Sequence, residues 1–276
     1  TDDRYSRHIA LFGSEGQDRI ASTSAAIVGI GGLGSHLAQQ LAYLGVVDFI
    51  LIDSDVVSTS NLNRLIGAEP TDIGALKVEV ADRGIRVIQP EATVETEAAQ
   101  FVAAEAPEVL RRANVLFGCV DDDVPRLELV RHASTHALPY VDLASDVAPT
   151  GEFGGRVVFA KDGERCLSCL GELDQHALAR AQMTQEQRAA DDKIYGIERD
   201  ALADSGPSVV SVNGVVASLA VTEFMVWRTG LREPAGYLNY RGDRGTVGRR
   251  ADPKRTYCHY CMTLWGSSRA PRDRCD

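Results

Sequence analysis

The run Gly29-Ile30-Gly31-Gly32-Leu33-Gly34 constrains this chain more than any other stretch. It follows an apolar segment, Ala25 to Ile30, and precedes Leu37, Leu41 and Leu44, which recur at helical spacing. Glycines between a strand and a helix permit a tight turn. They also let backbone N–H groups and a helix N-terminus approach a phosphate. The spacing predicts a helix from about Ser35 to Leu44, stopped by Gly45, and a second strand from Val47 to Ile52 that ends at Asp53. This is a βαβ unit of roughly thirty residues.

The alternation continues. A short helix is expected at Ser14 to Ala21, another at Lys77 to Val87, and a third opening near Pro125. Strands are expected at Thr93 to Thr96, Val115 to Val120, Tyr140 to Leu143 and Arg156 to Phe159. A long apolar helix, Val209 to Trp227, precedes terminal strands at Tyr237 to Tyr240 and Thr246 to Gly248. The pattern implies an α/β fold: a doubly wound, Rossmann-like, mostly parallel sheet with helices on both faces and antiparallel strands at its C-terminal end. Leu170 to Ser205 is polar and reads as a mobile crossover segment. With no repeat or clear linker, residues 1–276 are expected to form one domain.

A chain of 276 residues buries roughly 75% of its unfolded surface and needs no disulfides. Its formal net charge of −10 argues against a nucleic-acid backbone as partner. No stretch is expected to reach the roughly 20 apolar residues of a membrane span, and Thr1-Asp2-Asp3 does not read as a signal peptide. Four of the six cysteines stand in two CxxC pairs, Cys166/Cys169 and Cys258/Cys261. Without an export signal this reads as metal binding in the cytoplasm. Two such pairs fit a tetrahedral, structural Cys₄ zinc site. The competing reading is a redox CxxC, disfavoured because neither pair is expected to open a helix after a strand. The six histidines lack metal spacing, and Trp227 and Trp265 read as packing residues.

The glycine fingerprint alone fits NAD as well as ATP. A dinucleotide carries about two negative charges, whereas a triphosphate carries about four and calls for Lys, Arg and a metal-binding carboxylate. Asn61, Arg64 and Lys77 follow the Asp53 strand, and Asp121 ends another strand.

From Arg4 to Cys261 the chain resembles the ThiF/MoeB/HesA family, the adenylating core shared with ubiquitin-activating enzymes. The matching pieces are Arg4-Tyr5-Ser6-Arg7, Val28 to Gly34, the DxDxVxxSNLxR pattern of Asp53 to Arg64, Lys77-Val78-Glu79, Asp121 with Arg126, and both CxxC pairs. The resemblance implies that Gly29, Gly31, Gly32 and Gly34 hold a nucleotide through the backbone and that Asp53 binds its ribose. It implies a nucleotide site completed by Asp55, Ser60, Asn61, Leu62, Asn63, Arg64, Lys77, Asp121 and Asp122. Within that set, Asn61, Arg64 and Lys77 would hold phosphates, and Asp121 would bind Mg²⁺. Arg7 would act across a homodimer interface; with Arg64, Lys77 and Asp121 it completes the expected catalytic set.

The implied activity is ATP-dependent adenylation of the C-terminal carboxylate of a small ubiquitin-like or sulfur-carrier protein, or of a peptide. A carboxylate with a reference pKa near 3.5 is already ionised, so no general base is needed. The alternatives are a non-catalytic nucleotide-binding scaffold and an NAD-dependent oxidoreductase. Two departures stand out. Asp122 replaces a usual asparagine, and its plainer reading is a helix cap. The crossover lacks a cysteine, with Ala203 near the expected place, so thioester transfer is not expected. Cys119 reads as an inert buried thiol, and Cys275 is a second candidate thiol near the terminus.

Overall fold

The computed structural model describes residues 3–102, 108–148, 150–181, 183–184, 208–251 and 257–267. After helix α1 (Ser6–Ala21) come β1 (Ser24–Val28), α2 (Gly32–Leu44), β2 (Asp48–Ile52), α3 (Lys77–Ile88) and β3 (Thr93–Glu97). The chain then crosses to β4 (Val115–Gly118), α4 (Asp123–His136), β5 (Tyr140–Val147) and β6 (Phe153–Ala160). Helices α5 (Leu167–Leu170), α6 (Gln175–Ala181) and α7 (Val210–Thr229) lead to β7 (Tyr237–Arg241) and β8 (Thr246–Arg249).

Among the described residues one sheet runs in the order β3-β2-β1-β4-β5-β6-β7-β8. The first five strands are parallel, and β6, β7 and β8 add antiparallel. All five residues of β1 are buried, as a central strand covered on both faces requires. Alternate side chains feed two cores. Ala25, Ile27, Phe49 and Leu51 join the layer beneath α2 and α7, while Ala26, Val28, Ile50 and Ile52 join the layer that includes Leu129 of α4 and Leu167 of α5. The chain adds strands toward one edge from β1 to β3 and toward the other from β4, so the winding order reverses between the parallel neighbours β1 and β4. The turns leaving their carboxyl ends therefore diverge and open a crevice there.

The expected strands and long helices are present with shifts of one or two residues at most ends. Helix α1 is longer than expected. It begins at Ser6 and is kinked at Gly13, whose φ of 75° breaks the periodicity that would have joined its halves. Helix α2 starts inside the glycine run, at Gly32. The expected mobile crossover is ordered at its start: α6 lies within it, and Leu170, Leu173 and Leu178 are buried. Its remainder, 185–205 with Ala203, falls outside the described residues, as does Cys275. Helix α7 corrects the expectation about apolar length, for it is long and apolar enough to cross a membrane, although half of it is buried here. It packs on α1, α2, β5 and β6, and it carries a buried Glu223 paired with Arg232.

Candidate functional site

A cleft of about 1260 Å³ opens at the carboxyl ends of β1, β2 and β4. Its floor is the glycine turn. Gly29 has φ 90°, and a Cβ on Gly34 would lie 1.9 Å from the Gly29 carbonyl oxygen, so these two positions exclude side chains. The N-terminus of α2 has no side-chain cap. Its first-turn N–H groups and the positive end of the helix dipole are left for an anion.

Asp53 leaves β2 and ties this floor together. Its Oδ2 accepts from Ile30 N at 2.5 Å and its Oδ1 from Asp55 N at 2.8 Å. Burial raises its pKa, against the two backbone bonds that favour the carboxylate. In the loop that follows, Ser58 and Asn61 cap a short 3-10 turn reciprocally, with Ser58 N donating to Asn61 Oδ1 at 3.0 Å. Asn61 thus spends its carbonyl on the turn and keeps its amide for the cleft. Arg64 is positioned by Ser60 O at 2.6 Å and Asn63 Oδ1 at 3.3 Å. Lys77, the first residue of α3 and only 9% exposed, places Nζ 2.7 Å from Asp55 Oδ2.

Asp121 follows β4 into the same cleft. Its neighbour Asp122 caps α4, accepting from Val124 N at 2.7 Å. Gly29, Gly31, Gly32, Asp53, Asp55, Ser60, Asn61, Arg64, Lys77, Asp121 and Asp122 all line this one space. Four expected residues do not. Gly34 backs the turn, Leu62 packs against the small cluster of Val57, Leu65 and Val80, and Asn63 braces Arg64. Arg7 is exposed on α1, away from the cleft of its own chain.

The sequence reading missed the far wall. Asn213 of α7 is 1% exposed; its Oδ1 accepts from Ser145 Oγ at 2.8 Å and its Nδ2 donates to Ser208 Oγ at 3.0 Å. Arg126 and Arg156 converge on Asp142, which is fully buried and also takes the Tyr140 hydroxyl at 2.9 Å. A lone Asn in an apolar helix and an Arg entering the apolar run Val157-Val158-Phe159 were the available signals.

The four paired cysteines meet at the core layer of Leu129 and Leu167, where their sulfurs all lie within 4.8 Å of one another. Cys166 Sγ is 3.6 Å from Cys258 Sγ and 3.9 Å from Cys169 Sγ. Four thiolates on zinc at 2.3 Å would stand about 3.8 Å apart, so the cluster fits that metal with no open position. Hydrogen bonds from the Cys166 and Cys261 thiols lower the pKa of Cys169 from the ordinary thiol value. Cys166 caps α5, which follows β6, and Cys258 caps the 259–264 turn, so the expectation that neither pair opens a helix after a strand is wrong for the first pair. Convergence of both pairs is the better argument against a redox motif. Cys119 is buried as expected, and burial drives its pKa well above the usual thiol value.

Residues 5–260 match the model of the ThiF family. Over 172 residues, 62% of the chain, it is 32% identical to the molybdopterin-synthase adenylyltransferase of Escherichia coli K12 and covers 68% of it. It is 38% identical over 122 residues to the SAMP-activating enzyme E1 of Haloferax volcanii, which is 44% of this chain and 45% of that one. The adenylyltransferase and sulfurtransferase MOCS3-1 of Zea mays is 30% identical over 84% of the chain, again matched over 45% of its own length. The chain therefore spans under half the length of several of its curated relatives. Among solved structures, E. coli MccB with ATP superposes with a TM-score of 0.73 at 21% identity, covering 95% of this chain and 75% of that one.

Proposed function

The chain belongs to the ThiF family, and within it we propose an ATP-dependent adenylyltransferase that activates the C-terminal carboxylate of a small ubiquitin-like or sulfur-carrier protein, or of a peptide. The observation that carries this reading is the gathering of the glycine turn, Asp53, Asn61, Arg64, Lys77 and Asp121 around one cleft at the switch point of the sheet. A dinucleotide site has no use for this cation and carboxylate set.

In the proposed reaction a carboxylate oxygen attacks the α-phosphorus of ATP. The bond to the β-phosphate oxygen breaks, and pyrophosphate leaves with the electron pair. The α2 N-terminus holds phosphate oxygens, Asp53 takes the ribose hydroxyls, and Asn61, Arg64 and Lys77 steady the charge that develops on the leaving group. Arg7, exposed and outside its own cleft, serves the site of a second copy in a homodimer. Asp121, a hard oxygen donor in the cleft, suits Mg²⁺, which when bound would neutralise phosphate charge. Asp122 is committed to capping α4. The zinc cluster is structural. From Leu170 to Ser205 the sequence has no cysteine, so the adenylate passes to an acceptor outside that segment. We assign the whole chain to one adenylating unit acting in the cytoplasm.

The test is substrate-dependent exchange of labelled pyrophosphate into ATP with candidate carrier proteins and peptides, each compared with its C-terminal amide. Exchange confined to free carboxylates, and lost in Lys77→Ala and Asp121→Ala, is the expected result. Undiminished exchange in both folded variants contradicts the assignment.

A further inference from the structure

Among the described residues, most of the positive charge lining the cleft is already paired with carboxylates. Among those residues four cations line it, Arg64, Lys77, Arg126 and Arg156, against six carboxylates. Three of the four already face a carboxylate. Arg126 Nη1 is 3.1 Å from Asp123 Oδ1, and Arg156 bonds both Asp142 and Glu172. Lys77 is taken by Asp55 at 2.7 Å. Arg64 alone meets only neutral oxygens among the described residues.

These pairings differ in permanence. The side chains of Asp142, Glu172 and Asp123 are 0%, 13% and 16% exposed, whereas that of Asp55 is 63% exposed opposite a Lys77 that is only 11% exposed. Asp55 is the one counter-ion that can swing into water and leave its cation behind. Its backbone stays in place regardless: Asp55 N is held by Asp53 Oδ1 at 2.8 Å, and Asp55 O accepts from Lys77 N at 3.0 Å.

Resting on the nucleotide reading above, we propose that Asp55 is a specificity-determining residue that occupies Lys77 in the empty cleft and selects ATP carrying a divalent cation over the bare tetra-anion. Phosphate and the Asp55 carboxylate compete for the same ammonium group. The bare anion meets that carboxylate with about four negative charges and the metal complex with about two, so the repulsion Asp55 exerts falls by half. Removing the charge at Asp55 should therefore help the bare nucleotide more than the complexed one. The isosteric amide in Asp55→Asn keeps the backbone pins and a neutral acceptor for Lys77.

Calorimetric titration of wild type and Asp55→Asn, each with ATP in excess Mg²⁺ and with ATP in EDTA, tests this. In EDTA the variant should bind at least threefold tighter than wild type, and the ratio of Kd in EDTA to Kd in Mg²⁺ should fall by a similar factor. In a Lys77→Met background the same substitution should change Kd less than twofold. Wild-type binding of Mg·ATP with equal or weaker binding of bare ATP by Asp55→Asn overturns the proposal and makes Asp55 a support for Lys77. An equal gain in the Lys77→Met background also overturns it, because the effect would then be general charge removal. Should wild type bind neither form, the nucleotide reading itself fails. Asp55→Ser, checked by thermal melting, guards against an effect peculiar to the amide.

Discussion

Glu172 Oε2 lies 3.0 Å from Arg156 Nε, and its Oε1 accepts from Arg250 Nη1. Glu172 stands three positions beyond Cys169, and Arg250 follows β8 on the way to Cys258. One carboxylate thus links both arms of the cysteine cluster to an arginine in the wall of the cleft.

Glu172→Gln removes one of two counter-ions from the mostly buried Arg156, which keeps Asp142, and takes the partner from the exposed Arg250. Losing a charged partner while Asp142 still compensates Arg156 should cost about 1–2 kcal/mol. Urea unfolding should show that loss in the zinc-loaded protein with zinc content unchanged. A variant within about 0.5 kcal/mol of wild type would show the link to be surface decoration.

The glycine turn separates space from strain. In Gly34→Ala the new Cβ meets the Gly29 backbone oxygen at 1.9 Å, which no side-chain movement relieves, and the cost should exceed about 3 kcal/mol. A Cβ on Gly31 has nothing within 4 Å. Gly31→Ala should fold with stability within about 1 kcal/mol of wild type yet weaken nucleotide binding, since on the proposed reading the methyl group would stand in the phosphate space. Equal melting of the two variants would contradict this account of the turn.

Much of this was legible beforehand because it is local. Gly29 to Gly34 announces a strand, a turn and a helix, and Asp53 marks the end of the next strand. The cysteine spacing likewise declared a cluster. The far wall was not legible, because Asn213, Asp142 and Arg156 gain meaning only when α7, β5 and β6 come together across long sequence separations. Gly13 hid the first half of α1 for the opposite reason, a local break that tertiary packing overrides. The apolar length of α7 was underestimated because Asn213 and Glu223 punctuate a sequence that the fold buries on one face.

Stability should fall on mild acidification through His132. Burial, reinforced by His136, lowers its pKa to about 4, against about 6.5 in the unfolded chain. Between these values the unfolded state binds a proton that the folded state refuses, so stability rises with pH across that window and is lost as pH falls through it. The loss by pH 5 should be on the order of 1 kcal/mol after solvent screening. Chemical denaturation at pH 7 and pH 5 should show a smaller difference in His132→Leu than in wild type. An unchanged difference would place the titrating group elsewhere.

Stoichiometric zinc, one per chain, is expected by elemental analysis. Removing it should cost on the order of 10 kcal/mol, enough to unfold the region around α5 and the 259–264 helical turn. Cys258→Ser should show the same loss without chelator. Purified protein with four titratable free thiols, no zinc and an undiminished melting temperature would contradict a structural metal.

The central claim is that one cleft receives a triphosphate nucleotide. Equilibrium titration of wild type and Lys77→Ala with Mg·ATP, and separately with NAD, tests it most directly. The account predicts saturable Mg·ATP binding at one site per chain, weakened at least tenfold in Lys77→Ala, with no comparable affinity for NAD. Folded wild-type protein that ignores Mg·ATP at millimolar concentration, or prefers NAD, would contradict it.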